Sequence, residues 1–197
     1  MCWSCKRAGF KYNNCKEIIE KELSEYEFPK EKIEIINSTQ VISNDEEPVL
    51  AIRKKKDSSI VVGLKALTEG IGDGFVSAGS TGALLAGGLF IVKRIAGIER
   101  AALATIYPTT KGISFLLDVG ANVDCKPEDL KQFAIMGSVY SEKVLGVNSP
   151  KIGLANIGTE KGKGNLLVRE AYELIENSNI NFIGNVEVRD VPQGIAD

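Results

Sequence analysis

The stretch DGFVSAGSTGALLAGG at residues 73–88 decides how the chain is read. Residues 74–77 read as a short buried strand, residues 78–82 as a run of small residues and residues 83–93 as a helix. Gly79 and Gly82 allow a tight turn between them, with φ > 0 expected at both. Strand, glycine-containing turn and helix together make a common anion site. Small residues let a ligand approach the backbone, and the first helical turn offers unpaired N–H groups at the positive end of its dipole. Ser77, Ser80 and Thr81 add hydroxyl groups. Two readings fit: the turn holds phosphate or a phosphorylated group, or its glycines only let the helix pack closely on the sheet.

Outward from this stretch the chain alternates. Residues 15–26 have helical spacing, with Ile18, Ile19 and Leu23 on one side, and Pro29 stops them. Residues 32–36 read as a strand and residues 37–47 as a polar loop. Pro48 suits the first turn of a helix through Arg53, and Asp57 or Ser58 can cap a second helix over residues 59–69. On the other side, strands are expected at residues 101–107 (ended by Pro108), 113–119, 151–156 and 181–183, with helices at 127–145 and 166–177. Short apolar runs separated by helices are expected where both faces of a parallel sheet are covered, so the class is α/β, doubly wound. The strands at 101–107 and 113–119 are joined by a short turn, which makes an antiparallel hairpin there. Residues 1–14 fit no period and hold the only Trp; they are expected to be atypical or disordered, ahead of one α/β domain over residues 15–197.

Composition narrows the function. The 197 residues are 44% apolar and 25% charged with a formal net charge of -2, an ordinary globular balance without the basic excess of a nucleic-acid partner. No apolar run is long enough to span a bilayer and no secretory signal opens the chain, so a cytoplasmic location is expected. The chain has no histidine, which removes Ser-His and Cys-His nucleophile pairs. Cys2 and Cys5 have C-x-x-C spacing, but a zinc site would need Cys15 and Cys125 as its other ligands at irregular spacing; reduced thiols and no metal are expected. Cys125 has no evident base and reads as a buried, inert thiol. Neither a full Walker loop nor a dinucleotide glycine pattern is present, and no cofactor is expected.

In an open α/β sheet, ligands bind beyond the carboxyl ends of the strands. Three such ends are polar and small: residues 77–82, 118–126 and 156–165. Asp118 and Asp124 can accept hydrogen bonds, and Asn122, Asn156 and Asn165 can orient a ligand. Lys126, Lys161 and Lys163 can neutralise an anion, and Gly158 opens the third loop. Each residue alone reads as turn chemistry or solvated charge; their convergence argues for a site. A reaction whose oxyanion substrate is itself the nucleophile fits these parts. Phosphate dianion needs positioning more than deprotonation, and the protein would supply donors, cations and an oxyanion hole.

Residues 46–197 closely resemble the bacterial phosphate acyltransferases of fatty acid and phospholipid synthesis, the PlsX family. The resemblance is carried by AIRKKKDSS (51–59), FVSAGSTGA (75–83), LDVGANVDCKP (117–127), QFAIMGSVY (132–140) and NFIGNVE (181–187). It implies transfer of an acyl chain from acyl carrier protein to inorganic phosphate. It further implies a Rossmann-like three-layer α/β/α sandwich with a mostly parallel sheet, akin to isocitrate dehydrogenase and phosphotransacetylase. A homodimer, no metal requirement and peripheral contact with the cytoplasmic membrane follow from it as well. Family members begin with a strand and a Met-Gly-Gly-Asp turn not found here, and continue past Asp197, so the chain is expected to be a fragment. Ser80 stands where the family has Asn, and Val188 where it has Gly.

Roles follow as expectations. Ser77, Gly79, Ser80, Thr81, Gly82, Asp118, Gly158, Lys161, Lys163, Asn165 and Asn185 would bind phosphate or substrate. Asn122, Lys126 and Asn156 would act on the reacting thioester and phosphate. Asp118 would chiefly fix its loop. Arg53, Lys54, Lys55 and Lys56 would dock the acidic carrier protein, unless they are a solvated helix end. All three loops would surround one pocket. An inactive or binding-only fragment, or a phosphotransacetylase-like enzyme using acyl-CoA, is the alternative.

Overall fold

The computed structural model describes residues 2–6, 9–14, 16–120, 122 and 124–197, with residues 2–6 and 9–14 as backbone only. The chain divides into two compact units, Met1–Ala96 and Gly97–Asp197.

The N-terminal unit runs β1 (Cys2–Lys6), β2 (Gly9–Asn14), α1 (Lys16–Leu23), β3 (Ile33–Asn37), α2 (Pro48–Lys54), α3 (Ser59–Thr68), β4 (Gly74–Ser77) and α4 (Thr81–Gly87). A π-helical turn, Gly88–Val92, extends α4. Its sheet has the order β3-β2-β1-β4. β2 pairs parallel to β3, and β1 pairs antiparallel to both β2 and β4. β2, β3 and β4 therefore run one way and β1 alone runs against them. Their carboxyl ends share one edge, and the turn after β4 leaves from it. Residues 1–14, which show no period, supply β1 and β2; strands of 5 and 6 residues are too short to declare one.

Capping fixes the helices of this unit. Pro48 opens α2, and the Glu47 carboxylate accepts from the backbone N–H groups of Val49 (3.1 Å) and Leu50 (2.6 Å). Ser58 caps α3 by accepting from Val61 N at 3.5 Å. The core is made where α2, α3 and α4 meet, by Ile52, Ile60, Val61, Leu64, Ala83 and Ala86. A Cβ at Gly87 would lie 2.4 Å from Leu64 Cδ1, so part of the small-residue run serves this close helix packing.

The C-terminal unit runs β5 (Ala104–Thr109), β6 (Gly112–Leu117), α5 (Pro127–Lys143), β7 (Ile152–Asn156), α6 (Leu166–Glu176) and β8 (Phe182–Glu187), followed by a 3-10 turn, Val188–Gln193. β5 and β6 form the expected antiparallel hairpin. Pro108 does not end β5 but sits inside it, paired with Ile113. Among the described residues β5 pairs with β6 alone, and such an edge strand tolerates proline. β7, α6 and β8 form a parallel βαβ unit. Phe133 of α5, Ala171 and Ile175 of α6 and Val186 of β8 are buried apolar side chains of the C-terminal unit. Among the described residues, no helix is long and apolar enough to cross a membrane.

Candidate functional site

At the turn after β4, hydroxyl groups shape the backbone. Ser77 Oγ accepts from Gly79 N at 3.1 Å, and Ser80, the N-cap of α4, accepts from Ala83 N at 3.3 Å. Ser80 is buried, and Thr81 is exposed at the first position of the helix. One expectation is corrected here: neither Gly79 nor Gly82 has positive φ. Gly82 is required for space, because a Cβ there would meet Pro48 Cγ at 2.8 Å, whereas one at Gly79 would meet only Ser77 Oγ at 3.4 Å and Ile60 Cδ1 at 3.5 Å.

The basic cluster at the end of α2 is divided. The Lys55 ammonium turns inward, donating to the Val41 carbonyl and to Glu46 Oε1, each at 2.6 Å. That bond holds the Glu46 carboxyl below its ordinary range. The Arg53 guanidinium lies 5.5 Å from the Phe90 ring centroid. Lys54 and Lys56 are exposed.

In the loop after β6, Asp118 takes a left-handed backbone, φ 63°. Its N–H donates to the Leu103 carbonyl (2.8 Å), and its carboxylate accepts from Asn122 Nδ2 (2.8 Å) and from Cys125 Sγ (3.3 Å). The Asp118 carboxylate thus gathers side-chain donors of its own loop. Asn122 Nδ2 also donates to the Ala101 carbonyl (3.0 Å), so both of its amide protons are engaged. Burial, then the neighbouring Asp118 carboxylate, pushes the Cys125 thiol above its usual range. Lys126 opens α5: its N–H donates to Asp129 Oδ2 (2.8 Å) and its side chain is exposed.

In the loop after β7, Asn156 is 8% exposed. Its Nδ2 donates to the Lys163 carbonyl (3.1 Å) and its Oδ1 accepts from Ile157 N (2.8 Å), which closes the loop on itself. Gly164 has φ 90°, and a Cβ there would sit 2.9 Å from Asn156 Oδ1. At Gly158 a Cβ would sit 2.9 Å from Glu160 Oε2. Asn165 caps α6 by accepting from Val168 N at 3.0 Å. From β8, Asn185 Nδ2 donates to the Glu160 carbonyl (2.8 Å), while its buried Oδ1 has no partner. The Lys161 ammonium turns away from the loop, pairing with Glu176 and lying 5.2 Å from the Tyr172 ring centroid. Lys163 is half-exposed, 3.8 Å from Glu160.

Asp118, just after β6, and Ala155 of β7 line one cavity of the C-terminal unit. Residues 77–82 and 53–56 belong to the N-terminal unit. Sequence reasoning missed Arg100, which donates to the Asp124 carbonyl and lies 3.8 Å from Asp129, tying the loop to α5. It also missed Glu176 as the partner of Lys161. A single charge whose partner is set by the tertiary fold gives no sequence signal for either. Among the described residues, no group of three or more His, Cys, Asp or Glu side chains is arranged to hold a metal. The Cys2 and Cys5 side chains and residue Cys15 lie outside that description.

This architecture is shared with a phosphotransacetylase, EutD from Staphylococcus aureus: TM-score 0.60 over 93% of this chain and 65% of that one, at 20% identity. The fold class is thus the α/β fold of a phosphotransacetylase. A family model described as "Fatty acid synthesis protein" matches residues 13–197, and the chain belongs to that family. A phosphate acyltransferase from Alkaliphilus oremlandii is 55% identical over 180 residues, covering 91% of this chain and 54% of the relative. One from Clostridioides difficile is 53% identical over 183 residues, covering 92% and 54%. The chain spans about half the length of the curated relatives it matches.

Proposed function

We propose that this chain is the part of a phosphate acyltransferase that forms acyl phosphate from acyl carrier protein thioester and inorganic phosphate, for phospholipid synthesis. The observation that carries the reading is the 55% identity, over 91% of the chain, to a protein named phosphate acyltransferase. In the reaction a phosphate oxygen attacks the thioester carbonyl carbon. The C–O bond forms, the C–S bond breaks, and the carrier thiolate leaves and takes up a proton.

The roles assigned to the residues follow their surroundings. Lys126 is the exposed cation beside the 118–126 loop and is assigned to the developing charge on the acyl group or phosphate. Asn122 and Asn156, expected to act on substrate directly, are assigned the fixing of their own loops, because the Asn122 amide bonds Asp118 and Ala101 and the Asn156 amide bonds Lys163 and Ile157. Within the C-terminal unit, Lys163 is assigned to phosphate. Lys54, Lys56 and Arg53 are assigned to the acidic carrier protein. A homodimer and peripheral contact with the cytoplasmic membrane are part of the same proposal and rest on the family resemblance.

The test is acyl phosphate formation by this chain and by a full-length relative, with acyl carrier protein thioester, acyl-CoA and acetyl-CoA in parallel. Activity of the relative with the carrier thioester alone supports the reading. A preference for acetyl-CoA moves it to phosphotransacetylase chemistry. A relative that is active beside an inactive 197-residue chain assigns this chain a binding or assembly role.

A further inference from the structure

Residues 97–103 precede β5 and lie in no helix or strand, yet they are bonded along their length. Their partner is the run that leads from the end of β6 into α5. The Leu103 carbonyl accepts from the N–H groups of Asp118 (2.8 Å) and Val119 (3.2 Å), and the Ala101 carbonyl accepts from Asn122 Nδ2 (3.0 Å). The Arg100 guanidinium donates to the Asp124 carbonyl, and its Nε lies 3.8 Å from Asp129 Oδ2. Gln132, a turn further along α5, accepts from Glu99 N (3.0 Å) and donates to the Gly97 carbonyl (3.3 Å). As the first run descends from 103 to 97, the second climbs from 118 to 132. The segment is thus a strip laid along the 118–126 loop and the start of α5, and Arg100 is the residue of it that reaches Asp129.

Arg100 holds the two groups that fix the Lys126 backbone. The Asp124 carbonyl belongs to the peptide group before Cys125, and the Lys126 N–H to the one after it. Arg100 bonds the first, and Asp129 Oδ2 accepts from the second at 2.8 Å. Lys126 cannot cap α5 with its own side chain, which has donors and no acceptor, so the start of the helix depends on Asp129. Asp129 is buried, and a carboxylate out of water needs an opposing charge. Arg100 supplies it. The guanidinium fork can face Asp129 and bond the Asp124 carbonyl at once, which the point charge of a lysine cannot. The Lys126 side chain is exposed, so its aim is set by the backbone it leaves from.

We propose that Arg100 is the positioning residue of Lys126. It touches neither substrate. It sets the direction in which Lys126 leaves the chain, by holding the Asp124 carbonyl and the Asp129 carboxylate in one arrangement. The inference rests on the acyl-transfer reading, in which Lys126 meets the developing charge. A cation aimed in advance needs no reorganisation during the reaction, and a displacement of about 1 Å is enough to lose about a hundredfold in rate.

Two measurements test it. In this chain, Arg100→Gln should speed hydrogen exchange of the Lys126 amide by about tenfold or more, while the β5–β6 ladder exchanges as before. An unchanged Lys126 amide overturns the proposal. So does faster exchange throughout the unit, which makes Arg100 a general contact of the fold. The second measurement is kinetic, on a full-length phosphate acyltransferase that carries Arg and Lys at the aligned positions, numbered as here. There Arg100→Gln should lower kcat about tenfold or more and leave both KM values within about twofold. With Lys126→Ala added, kcat should fall no further than with Lys126→Ala alone, because Arg100 acts only through Lys126. Guanidinium ion at millimolar concentration should restore part of the kcat of Arg100→Ala, and none of that of the double variant. Losses that multiply in the double variant, or rescue that persists without Lys126, overturn the proposal. If Lys126→Ala keeps full kcat, the role given to Lys126 falls and takes this inference with it. If Lys126→Ala loses activity and Arg100→Gln does not, Lys126 keeps its role and Arg100 alone loses its own.

Discussion

Replacing Lys55 and replacing its neighbours Lys54 and Lys56 should have different consequences, because only the Lys55 ammonium points inward, to Val41 O and Glu46. The Glu46 carboxyl is held below its ordinary value by that bond, so the folded state binds its proton less readily than the unfolded chain. Stability from the pair is present above the ordinary carboxylate pKa of about 4.3 and lost as pH falls below it. Lys55→Met should therefore lower stability near neutrality, and its deficit should shrink at acid pH. Lys54→Met should change little at any pH. Urea unfolding at several pH values checks this; a Lys55→Met deficit that persists undiminished at acid pH would count against the pairing. The two turn glycines make a second contrast. Gly82→Ala forces a Cβ toward Pro48 and should cost roughly 1–3 kcal/mol. Gly79→Ala meets ordinary contacts and should stay within about 0.5 kcal/mol in the same measurement.

At the scale of elements, the loop after β7 depends on two asparagines. Asn165→Ala removes the cap of α6 and should cost about 1 kcal/mol. Asn156→Ala leaves the Lys163 carbonyl and Ile157 N–H without their partner, and should cost about 1–3 kcal/mol. Amide exchange should quicken across residues 157–165 for Asn156→Ala, and only in the first turn of α6 for Asn165→Ala. A uniform rise across the unit in both variants would sink that distinction. This element also shows what was legible in the sequence. The strand, the polar loop and the helix are readable because apolar runs, glycines and a capping residue are local signals. What Asn156 does is not readable, because its partner carbonyl at Lys163 is set by the loop's closure. Lys161 reads as an anion ligand until Glu176, a turn and a helix away, is seen to take its charge. Pro108 reads as a stop only if β5 is taken for an inner strand; among the described residues it pairs with β6 alone, and such an edge tolerates proline. β1 and β2 were hidden because short strands carry no period.

Across the whole molecule, the formal net charge is only -2, so the chain has no general attraction for an acidic protein. The proposed docking of an acidic carrier protein would then depend on local charge, which the α2 end supplies unevenly. Lys54 and Lys56 extend into solvent, Arg53 lies against Phe90, and Lys55 is neutralised by Glu46. Exposed charges act mostly on the rate of encounter and are screened over about 8 Å at physiological ionic strength. In a full-length active relative, reversing the equivalents of Lys54 and Lys56 to Glu should raise KM for the carrier thioester severalfold at low salt. It should leave KM for phosphate and kcat nearly unchanged. At high salt, variant and parent should converge. A change in KM for phosphate, or a carrier-protein effect of equal size at every salt concentration, would move these lysines from docking into phosphate binding or folding. Comparison with Lys55→Glu separates the last two, since that change breaks an internal bond and should lower the melting temperature before it alters either KM.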